Sequence, residues 1–294
     1  MKYLSVLIVT LIFTSSCSGL QKTTENQKNV TVEVVEMTET SKLVDVKIDN
    51  PIESKNNNKL NDSSDYILKT KKLHDNVYVI KITSHEKWQE LLQSHVSDIG
   101  NVNYNGIQRD KKKLKEYITY LSKNLPTEEW MKTQKLAYWI NAYNALTVDL
   151  ILRNYPTKSI KDIKDPWDQR LWKFGDTWQN LNDIEHKILR NMDEPRIHFA
   201  IVCASVSCPK LQNEAFTASN LDAQLTKATK EFLADSTKNE LSKDQIKISK
   251  IFKWFKKDFE QSGSLIDFLN QYSDITISES AKKSYTDYNW DLND

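Results

Sequence analysis

The stretch from about Thr133 to Asn154 constrains the fold more than any other, because it is apolar almost all round. Leu136, Trp139, Ile140, Tyr143, Leu146, Val148, Leu150 and Ile151 leave a helix here without a polar face. Such a helix has to be central, with the remaining elements packed around it. Tyr155-Pro156 ends it. Asn141 and Asn144 lie three positions apart and share one side of the helix. An unpaired amide in an apolar interior costs about 1–3 kcal/mol, so each needs partners. The structural reading, which is preferred, ties the helix to neighbouring loops. The functional reading has the two amides orient a substrate carbonyl or an imidazole, or donate to a developing oxyanion.

The second dense stretch runs from Arg196 to Pro209. Ile197-His198-Phe199-Ala200-Ile201-Val202 is apolar at every position but one, and it reads as a strand buried on both faces. A lone His in such a place is usually a satisfied core residue. The cysteines that follow it raise a catalytic alternative, since a thiolate activated by an imidazole is a nucleophile. In a regular strand His198 and Cys203 have opposite parity and sit roughly 16 Å apart. Cys208, beyond the small-residue turn Ala204-Ser205-Val206-Ser207, can curl back, so His198 and Cys208 form the candidate pair. Ser205 and Ser207 are fallback nucleophiles. A Cys203–Cys208 disulfide demands suitable Cα and Cβ placement, which leaves disulfide, free nucleophile and inert buried thiol all open.

Composition narrows the function classes. A net charge of +1 argues against a dedicated nucleic-acid binder. With five Gly in the chain, neither dinucleotide nor P-loop phosphate motifs occur, and no cofactor is expected. His74, His85 and His95 lack metal-ligand spacing, so no metal is expected either. His95 is a second candidate base, while Glu185 and Arg190 read as an ion pair on a solvated helix face.

At the start of the chain, Lys2, the apolar run Leu4 to Phe13 and the small residues before Cys17 form a targeting segment. It resembles a bacterial lipoprotein signal in which Cys17 is lipidated, although Thr14 stands where Leu is usual. The mature protein is then exported and membrane-anchored in the periplasm or at the outer membrane. Residues 18–76 read as a polar tether, within which Val30-Thr31-Val32-Glu33-Val34 alternates like a strand. Residues 77–294 read as one globular domain.

Within that domain, helices are expected over 85–97 and 112–124. Pro126 stops the second, and Thr127-Glu128-Glu129 opens the next helical region. Residues 171–180 read as a hairpin turning at Gly175-Asp176. Asn182 and Glu185 form a capping-box-like start for a helix reaching about Met192. Further helices are expected over 220–233, 251–259 and 265–272, with a short strand at 245–248. The aromatic tail from Asp287 to Asn293 should pack back onto the domain. Helices and strands mix without strict alternation, which gives an α+β fold: the central apolar helix packed on a small mixed sheet.

Several of these runs, in this order, are familiar. Leu91-Leu92 with His95-Val96, Val102-Asn103-Tyr104, the block Ala137 to Val148, Leu181 to His186, His198 to Pro209 and the terminal Tyr288 to Asn293 resemble the "domain of unknown function 547" family. The resemblance covers roughly residues 85–294. It implies one domain, often in bacterial envelope proteins, and no established reaction. Asn289 stands where the tail motif more often carries Asp. A more distant analogy is to transglutaminase-like and papain-like thiol enzymes, which place a Cys at the start of a central helix. This central helix has no Cys. The expectation is therefore a lipid-anchored domain that binds a peptide, glycan or small molecule of the envelope. The alternative is a thiol hydrolase or acyl transferase using Cys208 and His198, with Asn141 and Asn144 as orienting groups.

Overall fold

A computed structural model describes residues 66–73 and 76–294. The leader, Cys17, the strand-like 30–34 segment and His74 lie outside the described residues. The tether expected over 18–76 includes regular structure at its end, where β1 (Tyr66–Leu73) pairs antiparallel with β2 (Asn76–Thr83).

The apolar stretch forms the longest helix, α4 (Lys132–Asn154). It is buried on all sides, as a helix without a polar face must be. Around it pack α1 (Glu86–His95), α2 (Tyr104–Arg109) and α3 (Lys111–Lys123), which supply Trp88, Leu91, Ile107, Leu114 and Leu121 to the same core. The start of α4 falls within one residue of the expected Thr133, but the helical region expected to open at Thr127-Glu128-Glu129 does not form. Residues 127–131 form a turn, and the helix begins only where the Gln134 side chain accepts from the Met131 amide, at 2.8 Å. Thr127-Glu128-Glu129 supplies no helical turn because the preceding Pro and the turn direct the chain into α4 from outside.

The hairpin forms as expected. β3 (Trp172–Phe174) and β4 (Thr177–Gln179) are antiparallel, and Gly175 takes φ +57° at the turn. Its inward face locks onto α4: Trp139 stacks on Phe174, and Trp172 Nε1 donates to buried Asp149 Oδ2 at 2.7 Å. Arg153, one turn on, donates to the same carboxylate oxygen at 2.6 Å, which compensates its burial.

The next helical segment starts two residues before the expected cap. Asn180, not Asn182, accepts from the Asp183 amide at 2.6 Å, and α5 (Leu181–Asp183) runs directly into a π-helical turn over Ile184–Leu189. The wider π turn rotates Glu185 inward, toward α4.

A larger departure is the His198 segment. Residues 195–199 form a single 3-10 turn with Pro195 at its start, not a strand. Alternation could not tell the two apart because Ile197, His198 and Phe199 are all buried whatever their backbone does. Phe199 begins a second core, completed by α6 (Leu221–Ala234), α7 (Ile251–Trp254), α8 (Lys256–Phe259) and α9 (Leu265–Tyr272). The expected helix over 251–259 is thus broken at Phe255. This second core carries the mixed sheet: β5 (Glu240–Leu241) antiparallel to β6 (Gln245–Ile248), and β6 parallel to β7 (Lys282–Tyr285). The fold is a single α+β domain, but the central helix packs among helices and the hairpin, with the sheet in the other core. No helix among the described residues is long and apolar enough to cross a membrane.

The two asparagines fasten the loops of the domain to α4. Asn141 Nδ2 donates to Phe216 O at 2.7 Å, and its Oδ1 accepts from Phe216 N at 3.0 Å. Asn144 Nδ2 donates to Ala200 O at 2.9 Å, and its Oδ1 accepts from Val202 N at 3.0 Å. Each amide thus reads the backbone of one loop through both ends. Replacing either residue by Ala strands a buried N–H and a buried C=O and should cost about 3 kcal/mol, measured by denaturant unfolding. A loss under about 1 kcal/mol would show that the clamps are dispensable.

Candidate functional site

Asn144 suspends the loop that carries the cysteines. From Val202, held on the Asn144 carbonyl, the chain enters Cys203 and then turns through Ala204 at φ +55°. For a residue with a Cβ this left-handed conformation costs about 1–2 kcal/mol. It is fixed from outside by the tail, through Asn293 N to Ala204 O (3.4 Å), Val206 N to Asp291 O (2.9 Å) and Asn289 N to Ser207 Oγ (2.8 Å). Cys208 N then closes the turn on Ser205 O at 3.0 Å.

The result is a dithiol. Cys203 and Cys208 are both free, with their sulfurs 3.0 Å apart and sharing a hydrogen bond. Cys203 is partly exposed, whereas Cys208 is buried and takes the Cys203 backbone N–H at 2.9 Å. Ser205 Oγ lies 3.1 Å and Tyr288 OH 3.3 Å from the Cys203 sulfur. The two thiols are driven apart in acidity. The hydrogen bond shared with Cys208, aided by those of Ser205 and Tyr288, holds Cys203 below the usual thiol value against the opposing effect of burial. Burial, and then the hydrogen bond and charge of Cys203, push Cys208 well up.

A carboxylate stands nearby. Glu185 was expected on a solvated face, but the π turn buries it, and Tyr143 OH donates to its Oε2 at 3.2 Å. Burial pushes its carboxyl up to about 7, only partly offset by the Tyr143 hydrogen bond and the charge of Arg190. Its own charge in turn raises the Cys203 thiol. Tyr143 precedes Asn144, so adjacent residues of α4 hold the carboxylate and the cysteine loop. Nothing in the spacing of Glu185 marked it, because inward rotation depends on the π register.

His198 is not a partner of either cysteine. Its Nε2 donates to Asp258 Oδ2 at 2.9 Å, and its ring stacks on Phe255 at 3.9 Å between centroids. Arg190, expected to pair with Glu185, instead clamps both Asp258 oxygens at 2.6 and 2.7 Å. The parity that excluded Cys203 assumed an extended strand that does not form. Asn141 and Asn144 present no free amide to a ligand, since both ends of each are taken by backbone. His95, the second candidate base, has Nε2 2.9 Å from Asp110 Oδ2, with Nδ1 buried against Gly106. It lines an open cavity of about 560 Å³ with Asn103, Tyr104, Tyr155 and Asp294. Among the described residues no group of three acidic, His or Cys side chains gathers as a metal site.

Residues 127–233, which include α4, Glu185 and both cysteines, match the family described as "Protein of unknown function, DUF547". The resemblance read from the motifs therefore stands over this stretch. No curated protein and no solved structure matches the chain.

The Arg190–Asp258–His198 group makes a pH prediction. Burial alone would raise the Asp258 carboxyl, but Arg190 and the His198 N–H outweigh it and hold it well below the usual carboxylate range. Burial lowers His198, which stays neutral in the fold. Both groups bind protons more weakly folded than unfolded, so their stabilisation is complete above pH 7 and is lost as pH falls. His198 gives way first, below about pH 6.5, and Asp258 below about pH 4. Arg190→Gln should cost about 2 kcal/mol at pH 7, allowing for the partial exposure of Arg190. It should also flatten the acid limb of the unfolding curve; an unchanged limb would remove this group from the account.

Proposed function

We propose that this is an exported, lipid-anchored protein whose Cys203–Cys208 dithiol exchanges disulfides with envelope thiols. The observation that carries the reading is the 3.0 Å approach of a partly exposed sulfur of lowered pKa to a buried one of raised pKa. Disulfide exchange needs those two roles. The accessible Cys203 thiolate attacks a partner disulfide, forming a mixed disulfide and releasing one partner thiol. Cys208 then attacks the Cys203 sulfur, closing the intramolecular disulfide and releasing the second thiol. The strained turn at Ala204 supports the reading, since backbone outliers concentrate where a loop is held for function.

A polypeptide is favoured as the partner. Val206, in the cysteine loop, and Trp254 are 48% and 46% exposed. The Trp254 ring lies 4.8 Å from Tyr288, whose hydroxyl touches the Cys203 sulfur. Apolar surface at the edge of a reactive sulfur suits side chains flanking a disulfide. The hydrolase alternative, with His198 as base and Cys208 as nucleophile, lacks support because His198 is engaged by Asp258 and Cys208 is the buried thiol. Export and anchoring rest on the leader and Cys17.

Two experiments test this. In the full-length protein, oxidised glutathione should produce an intramolecular disulfide that dithiothreitol reverses, with Cys203 alkylated faster than Cys208 in the reduced form. Cys208→Ser should trap the mixed disulfide on Cys203, and Cys203→Ser should abolish exchange. Absence of both a reversible disulfide and a trapped adduct overturns the redox reading. Separately, Cys17→Ser should release the protein from the membrane fraction; continued fractionation with membranes would overturn the lipid anchor.

A further inference from the structure

The open cavity beside His95 lies where the end of α1 meets the start of α2, and neither cysteine lines it. Its volume of about 560 Å³ is that of a small-molecule site, which is roughly 300–1,000 Å³. Much of its wall is the run Asn101-Val102-Asn103-Tyr104-Asn105. Val102 and Tyr104 are each 1% exposed, whereas the asparagines that alternate with them are exposed. The run thus buries its apolar side and turns three amides outward at one place.

Those amides differ from Asn141 and Asn144, whose ends are all taken by backbone. Asn103 caps α2, its Oδ1 accepting from Gly106 N at 2.8 Å. Among the described residues the side chains of Asn101 and Asn105 hold no hydrogen bond. The wall behind them is fixed by the tail. Val102 N donates to Asn293 O at 2.8 Å, and Tyr104 OH donates to Asn293 Oδ1 at 2.8 Å. His95 Nε2 shares a hydrogen bond with Asp110 Oδ2 at 2.9 Å, and the Ser94 hydroxyl donates to Glu90 O at 2.7 Å. The imidazole and that hydroxyl are committed, so the amides are left to meet a ligand, on a wall already in place before it arrives.

The lining selects the class of ligand. No Lys or Arg is among the described residues that line the cavity, so nothing there matches an anion. An amide presents donors and an acceptor side by side, which suits a hydroxyl that donates and accepts at one oxygen. Asp294 adds a carboxylate, a further acceptor for hydroxyl protons. Tyr155 is half-buried, with its ring 6.0 Å from that of Tyr104, and the two supply an aromatic wall. Such a wall packs against apolar C–H groups. A ring that carries hydroxyls on its edge and C–H groups on its face meets all of these conditions.

We propose that this cavity binds a neutral saccharide, with Asn101 and Asn105 as its hydrogen-bonding residues and Tyr155 as the wall on which the sugar ring packs. The proposal is independent of the redox reading, because the site shares no lining residue with the dithiol.

The test is titration of the full-length protein with two neutral disaccharides of different linkage, maltose and diacetylchitobiose. Binding is followed by calorimetry and by the side-chain amide signals in nitrogen-edited NMR spectra. At least one sugar should bind saturably, with a Kd of about a millimolar. It should move the amide signals that vanish in Asn101→Ala and in Asn105→Ala. Each of these variants should weaken binding by about fivefold, the worth of one hydrogen bond. Both positions are exposed, so the variants should unfold at the wild-type temperature. Tyr155→Leu should weaken binding by about tenfold; if that variant does not fold, the asparagine variants decide. Absence of saturable binding by either sugar overturns the proposal, and so does wild-type affinity in both asparagine variants. Displacement of the same amide signals by tetramethylammonium or a blocked neutral dipeptide, and by neither sugar, overturns the saccharide assignment.

Discussion

The domain hangs on two side-chain amides that substitute for backbone in the middle of an apolar helix. Asn141 and Asn144 each present one donor and one acceptor to a passing strand of loop, at 2.7 to 3.0 Å. A loop crossing a helix has no regular hydrogen-bond ladder to join, and buried backbone groups without partners are expensive. The asparagines remove that cost at two points, Ala200–Val202 and Phe216, and so allow irregular chain to be packed against α4. Without them the cysteine loop could not be both irregular and buried. Its geometry is therefore inherited from helix α4.

Polar groups elsewhere in the core follow the same economy. Asp149 is buried yet takes Trp172 and Arg153, and Asp258 is gripped by Arg190 and His198. Each of these carboxylates joins segments apart in sequence and is met by more than one N–H donor. Glu185 differs from them. Among the described residues one hydroxyl donates to it and no cation pairs with it, and burial pushes its carboxyl up to about 7, whereas that of Asp258 is held down.

The cysteine loop is held from two directions. The tail crosses it with hydrogen bonds at Ala204, Val206 and Ser207 and delivers Tyr288 to the Cys203 sulfur, while α4 holds it from below. The tail continues to Val102 and Tyr104, in the first core, through Asn293. This closing strap explains why a terminal run of aromatic residues is present at all: it completes the first core and supplies the third group at the sulfur.

The sequence by itself determined the elements whose signal is local. The apolar helix, its two asparagines, the hairpin with its Gly turn, and the returning tail all follow from periodicity, turn chemistry and composition. The preference for a structural role of Asn141 and Asn144 also follows, from the cost of a buried amide. Only the tertiary structure decided the rest. A short run buried on every side gives no periodic pattern, so the run from Ile197 to Val202 read as a strand, and the choice between sulfurs was made on the wrong geometry. Glu185 could not be singled out, because its inward turn comes from a π register that packing against α4 imposes and that no local spacing encodes.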